Sequence, residues 1–232
     1  LQRIDALGVR EILCLGDVVG YGADPLPVTL LVMQRCKWTI LGNHDWGLFN
    51  ELEDFNALAR EALFYTREQL RPSWFRPWRK PAWEFLRTLP ERKQDHGFLF
   101  CHGSPRDPVM EYVLKSDCFL EPDKMQQIFA RIDRPCFVGH THDPGVITEE
   151  SKFITPKECN YEFTFEPGKK YIVNVGSTGQ PRDGDTRSCY AIYSGDKVKW
   201  RGIEYDYRVT MGKILKNPQL DPRAGVRLAL GR

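Results

Sequence analysis

The amino-acid sequence predicts an α/β (α+β) fold with a largely parallel sheet, in one domain spanning residues 1–232. Three observations carry that expectation. The first half of the chain alternates short apolar runs with helical patterns, and strand–loop–helix–strand order makes parallel pairs. From Val146 to about Tyr205 the helical period gives way to consecutive strand-like runs. The side chains best able to hold a metal fall just past apolar runs, where an α/β sheet builds its sites.

The elements follow in order. LQRIDALG spaces Leu1, Ile4 and Leu7 like the end of an amphipathic helix stopped at Gly8. VREILCLGD reads as a short buried strand, PLPVTLLVMQRC as a helix, and KWTILGNHD as a strand entering a turn. Asn50 to Leu70 carries Leu, Phe and Ala at helical spacing. RPSWFRPWRKPAW is irregular at least in part, because its prolines break regular pairing. HGFLFCHGSP and PCFVGHTH read as strands around a PDKMQQIFARI helix. GVIT, YEFTF, KYIVNVG, SCYAIY and KVKWRGIEY are further strands, and MGKILK and GVRLALGR return to helical spacing. No internal repeat and no low-complexity linker divides the chain.

Composition excludes several classes. Hydrophobic residues make up 41% and charged residues 28%, a globular mixture, and no apolar run approaches the ~18–20 residues of a membrane span. The formal charge of +2 (33 basic against 31 acidic residues) is too balanced to argue by itself for nucleic acid or a membrane. Seven cysteines include no C-x-x-C pair, and Cys14, Cys101 and Cys136 sit in apolar runs. They read as buried reduced thiols, which points to a cytoplasmic location.

Chemistry collects at the strand ends: 16-GD-17, 42-GNHD-45, 102-HG-103 and 139-GHTH-142. In an extended segment residues i and i+2 face the same way, so His140 and His142 would look into one cavity, a spacing suited to neighbouring metals. Asp17 offers a carboxylate able to bridge two ions and Asn43 a neutral oxygen. Mixed His, Asp and Asn donors favour Mn, Zn, Fe or Co over Mg or Ca. His96, in the loop QDHGF, has no partner pattern and reads as a surface residue. Each motif alone is common; the four in this order are not.

The ordered set resembles the calcineurin-like metallophosphoesterases, whose motifs are D-x-H, G-D, G-N-H-D/E, H and G-H-x-H. The flanking 103-GSPRDP-108 and 174-NVGSTGQPRDGD-185 resemble a bacterial branch of small phosphodiesterases and diadenosine-polyphosphate hydrolases. The resemblance implies a two-sheet β-sandwich flanked by helices. It implies two divalent metal ions (Mn, Fe, Zn, Co or Ni) bridged by Asp17. Asn43, His102 and His140 would complete one metal site and His142 would join the other. His44, held by Asp45, would be the catalytic group acting on the leaving oxygen. One motif is missing: no Asp-x-His precedes Gly16, so one metal site is expected to be incomplete and the family's first strand absent, leaving an exposed sheet edge.

The expected activity is hydrolysis of a small phosphorylated or nucleotide substrate by a metal-activated water, on phosphate monoesters or diesters. The alternatives are hydrolysis of a nucleotide phosphoanhydride and a non-catalytic binding scaffold. Arg106 and Arg182 are candidate phosphate clamps, because guanidinium forks match phosphate oxygens. The segment 71–83 could form a lid that stacks on a base, but a packed tryptophan cluster is the expectation. No membrane or specific nucleic-acid partner is expected.

Overall fold

A computed structural model describes all residues from Leu1 to Arg232. Its eleven strands form sheets of six, three and two strands. The six-stranded sheet runs β3(Arg92–Asp95), β4(Phe98–Cys101), β5(Cys136–Val138), β9(Tyr171–Asn174), β6(Gly145–Thr148), β7(Phe153–Ile154). β4, β5 and β9 pair in parallel, whereas β3, β6 and β7 pair antiparallel. The second layer holds β1(Leu13–Cys14) parallel to β2(Trp38–Thr39), and antiparallel β10(Ser188–Ser194), β11(Lys197–Ile203) and β8(Glu162–Thr164). The sheets are therefore mixed, and the expected largely parallel sheet is corrected. The second half of the chain returns by hairpins, which impose antiparallel neighbours.

Period-two side-chain alternation decides what each face buries. Phe98, Phe100, Phe137, Val146, Tyr171 and Val173 face inward onto Ile40, Val198 and Trp200 of the second layer. Their neighbours Leu99, Cys101, Cys136, Val138, Ile147 and Ile172 face out onto Met125, Ile128 and Phe129 of the helix Pro122–Phe129. Burying each large apolar side chain stabilises by roughly 1.5–3 kcal/mol, so register is fixed from both faces. Outside β1 and β2 lie the helices Pro25–Arg35, Ala57–Leu70 and Lys80–Arg87. The C-terminal helices Tyr207–Leu215 and Pro222–Leu230 close the molecule against the middle one.

β1 pairs only with β2, and β10 only with β11. Each therefore leaves one edge free, and between them runs an apolar channel lined by Leu13, Leu15, Val175, Ala191 and Tyr193, part of a cavity of about 640 Å³.

Several expected elements are shorter than their apolar runs. The helix expected from Asn50 starts at Ala57, where Asn56 caps it by accepting from the Ala59 amide at 3.0 Å. GNHD is not a simple turn but opens the five-residue helix Asn43–Gly47. The tryptophan-rich segment contains the helix Lys80–Arg87, in which Trp83 packs on Phe49, yet Trp74, Phe75 and Trp78 are exposed. The packed-cluster expectation is thus wrong for three of its rings. All seven cysteines are free, and no helix is long and apolar enough to cross a membrane.

Candidate metal centre

The site is assembled by close approach of two loops. After β1, Gly16 turns with φ +89°, and after β2 the chain reaches Gly42. A Cβ on Gly16 would lie 2.6 Å from the Gly42 amide nitrogen, and one on Gly42 would lie 2.1 Å from the amide nitrogen of Asp17. Only glycine permits this contact. It seats the Asp17 carboxylate at the start of the Asn43–Gly47 helix, where Oδ1 accepts from the His44 amide at 2.9 Å.

Asp17, Asn43, His102 and His140 converge. His102 Nε2 lies 3.3 Å from Asp17 Oδ2, 3.3 Å from Asn43 Oδ1 and 3.1 Å from His140 Nδ1. The other ring nitrogens are already committed. His102 Nδ1 donates to the Leu15 carbonyl at 2.7 Å, His140 Nε2 to the Met110 carbonyl at 3.0 Å, and His142 Nδ1 to the Gln180 carbonyl at 2.6 Å. Such bonds fix the tautomer and leave the remaining nitrogen with a free lone pair.

In the neutral rings, two lone pairs would therefore face each other at 3.1 Å beside a carboxylate, an arrangement that a cation between them, or a proton on His102, would relieve. Donors bound at about 2.0–2.2 Å to one ion sit roughly 3–3.5 Å apart, so the spacing matches a shared divalent ion. The His₂, Asp, Asn donor set fits a borderline transition ion. His142 stands outside this cluster but lines the same cavity as Asp17 and His44.

In the metal-free chain the electrostatics divide the histidines: Asp17 favours the charged form of His102, whereas His140 and His142 stay neutral. Burial alone would raise Asp17, but the neighbouring charges of His102 and His44 and the His102 hydrogen bond hold it well below the usual carboxylate range. Burial alone would lower His102, and Asp17 outweighs it and raises the ring. Burial, then His102, pushes His140 down to about 3; burial, then Arg182, pushes His142 down to about 4. Both are thus neutral near pH 7, as ligands must be.

The backbone reaches this geometry through strain. Asp17, His140 and His142 have φ of 51°, 61° and 61°, a left-handed conformation that costs non-glycine residues about 1–3 kcal/mol each. β5 ends at Val138, so the two histidines do not alternate on an extended strand as expected. They share a cavity because each takes a left-handed turn. Asn174 holds that loop, its amide donating to the Gly139 carbonyl at 2.6 Å and to Thr141 Oγ1 at 2.8 Å.

Two sequence-based assignments need correction. Asp45 does not touch the His44 ring. It is fully buried, and its oxygens accept from the amides of Val19 at 3.3 Å and Gly42 at 3.1 Å, so it positions the loops. Burial, then the charge of Asp17, pushes its carboxyl up to about 7. Arg106 is no free clamp either, because its guanidinium is spent on the Glu111 carboxylate and Gln127 Oε1.

Arg182 is differently placed. It donates to Gln180 Oε1 at 2.9 Å, and its charge helps depress both His44 and His142. His44 sits against Tyr21 and Phe55, with centroids 4.8 and 5.9 Å away, and its Nδ1 is buried without a partner. Tyr112, which sequence reasoning missed, stacks on His140 at 3.7 Å and 23°. Its only sequence signal was its position in the loop that follows His102. His96 is exposed and pairs with Glu11 at 2.7 Å, a surface residue as expected.

A sheet sandwich with this ligand cluster at its strand ends defines a metallophosphoesterase. The chain belongs to the calcineurin-like phosphoesterase family, whose family model matches residues 1–175. It is 33% identical over 241 residues to the uncharacterized protein MJ0912 of Methanocaldococcus jannaschii, covering 100% of this chain and 91% of that protein. Its fold matches the crystal structure of a metallophosphoesterase from Sphaerobacter thermophilus with a TM-score of 0.78 at 31% identity, over 100% of this chain and 93% of that one. Family and fold support metal-dependent hydrolysis of phosphoric esters in general.

Proposed function

We propose that this chain hydrolyses small phosphate mono- or diesters. The observation that carries the reading is the convergence of Asp17, Asn43, His102 and His140, with the ring tautomers fixed by backbone carbonyls. A divalent ion there would supply Lewis-acid activation of water and of a phosphoryl oxygen. Arg182 would bind a phosphoryl oxygen through its guanidinium, so that its charge follows the charge developing in the transition state. His44, neutral and packed between aromatic rings, would donate a hydrogen bond to the leaving oxygen. Tyr21 and Phe55 would exclude water from that ring. Asp45 would keep the loops carrying Asp17 and His44 in register through the Val19 and Gly42 amides.

The test is turnover of bis-p-nitrophenyl phosphate, an alkyl phosphate monoester and diadenosine tetraphosphate with Mn²⁺ and after chelation. Turnover of an ester that is lost with metal removal is expected. Asp17→Asn should lose metal and activity together. His44→Ala should keep its metal while kcat on the alkyl ester falls ~10²–10⁴-fold. Selective turnover of diadenosine tetraphosphate would reassign the substrate to phosphoanhydrides. Metal binding with no turnover of any of the three would leave a scaffold.

A further inference from the structure

The loop between the helices Ala57–Leu70 and Lys80–Arg87 has no role in the site, and none of its rings lines the cavity that holds the metal ligands. Its composition is one-sided. Between Glu68 and Glu84 there is no acidic residue, while Arg71, Arg76 and Lys80 are exposed and none makes an ion pair. Among them stand Trp74, Phe75 and Trp78, exposed by 90%, 82% and 61%. Large aromatic rings strongly favour burial, and three this exposed within five residues form a patch rather than scattered surface residues.

The loop is not loose at its base. Arg79 is buried and donates to the Glu68 carbonyl at 2.6 Å, and Ala82 and Leu86 anchor the following helix in the core. Pro72, Pro77 and Pro81 stiffen the segment further. The rings therefore project on a fixed support, with cations on both sides of them in sequence.

We propose that the 71–80 loop docks this protein on an anionic lipid surface. Tryptophan and phenylalanine settle at the headgroup boundary, where an apolar body is buried and polar edges stay wet. Arginine and lysine beside them are attracted to anionic headgroups. The two contributions need a side chain set of this mixed kind, held clear of the fold. A second copy of the chain fits less well, because it would set Arg71, Arg76 and Lys80 against the same cations. Single-stranded nucleic acid is usually held in a charged groove with bases on aromatic platforms, whereas rings exposed by 82–90% touch no groove wall.

Co-sedimentation of the full chain with vesicles tests the proposal, using phosphatidylcholine alone and phosphatidylcholine mixed with phosphatidylglycerol. Binding to the mixed vesicles only, weakening as salt rises, is the expected result. Arg71→Ala with Arg76→Ala should weaken it roughly 30-fold. Arg71→Lys with Arg76→Lys should keep most of it, since a membrane surface reads charge rather than fork geometry. Trp74→Ala with Phe75→Ala should abolish binding and leave turnover of a soluble diester unchanged, because these side chains touch neither core nor site.

Equal binding to both vesicle types would overturn the proposal, as would binding that survives the Trp74→Ala, Phe75→Ala change. Capture of a single-stranded oligonucleotide through the same residues without vesicle binding would make the loop a nucleic-acid contact. A concentration-dependent dimer lost in the same variant, again without vesicle binding, would make it a self-interface. Either outcome refutes lipid docking.

Discussion

Two arginines with the same sequence credentials part company once their neighbours are known. Arg106 donates to both oxygens of Glu111 and to Gln127, and Ser104 Oγ bonds the same carboxylate. The loop they stabilise delivers the Met110 carbonyl to His140 Nε2 and the Tyr112 ring to its face. Arg182 has neutral side-chain partners, the Gln180 amide oxygen and the Tyr112 hydroxyl, and no carboxylate, so its charge is unpaired and bears on His44 and His142. Arg182→Ala should therefore raise KM or lower kcat/KM on phosphate esters about 10-fold or more, the scale of a charge-assisted hydrogen bond, and leave the melting temperature near that of the parent. Arg106→Ala should act through the loop, lowering thermal stability and metal affinity with little direct effect on KM. Steady-state kinetics and a melting curve on both variants separate the two roles. Equal KM effects from both would return Arg106 to the phosphate.

At the scale of elements, the strand ends were legible because apolar runs stop where metal-binding residues begin, and because Gly16 and Gly42 precede the ligands. What sequence could not give is how the ligands are aimed. Three of them sit in left-handed turns rather than on extended strands, and their tautomers are set by carbonyls of Leu15, Met110 and Gln180. A backbone carbonyl has no residue signature, so these partners were invisible. The family resemblance made Asp45 a partner for His44, whereas the free amides of Val19 and of the short helix start at Gly42 draw the carboxylate instead. β3 was missed because RKQD carries no apolar pattern; it pairs as an exposed edge.

The glycines test whether loop contact or loop flexibility matters. Gly42→Ala would drive a Cβ to 2.1 Å from the Asp17 amide nitrogen, so it should cost about 1–3 kcal/mol and displace Asp17, weakening metal binding with it. Gly212→Ala lies within the helix Tyr207–Leu215, where nothing approaches within 4 Å, and should stabilise by about 0.4–1 kcal/mol. Chemical denaturation and metal titration on both variants check the signs. Unchanged metal affinity in Gly42→Ala would mean that Asp17 is not seated by this contact.

Across the whole molecule, the ligands are unevenly divided. Asp17, Asn43, His102 and His140 form one set that needs no further residue to reach four donors. His142 lies outside that cluster and, of the other candidate ligands, shares with the set only Asp17 as a group able to bridge. A catalytic metal typically has at least three protein ligands, so a second ion would hold two. The cavity beside them continues into the channel between the free edges of β1 and β10, lined there by the apolar side chains of Leu13, Leu15, Val175 and Ala191. Calorimetric titration of Leu1–Arg232 with Mn²⁺ should therefore show one tight site and a second that is weak or absent. Because the tight site exists only in the folded chain, its occupation should raise stability by RT ln(1 + [Mn²⁺]/Kd), about 2.7 kcal/mol at roughly 100 times Kd. Chelation should return the melt to its metal-free position. Asn43→Ala should remove that metal-dependent gain while sparing the fold, since the one close polar contact of the asparagine oxygen is His102 Nε2 at 3.3 Å. Two equally tight sites, or a metal-dependent gain that survives Asn43→Ala, would mean that the ion is held by residues other than these four.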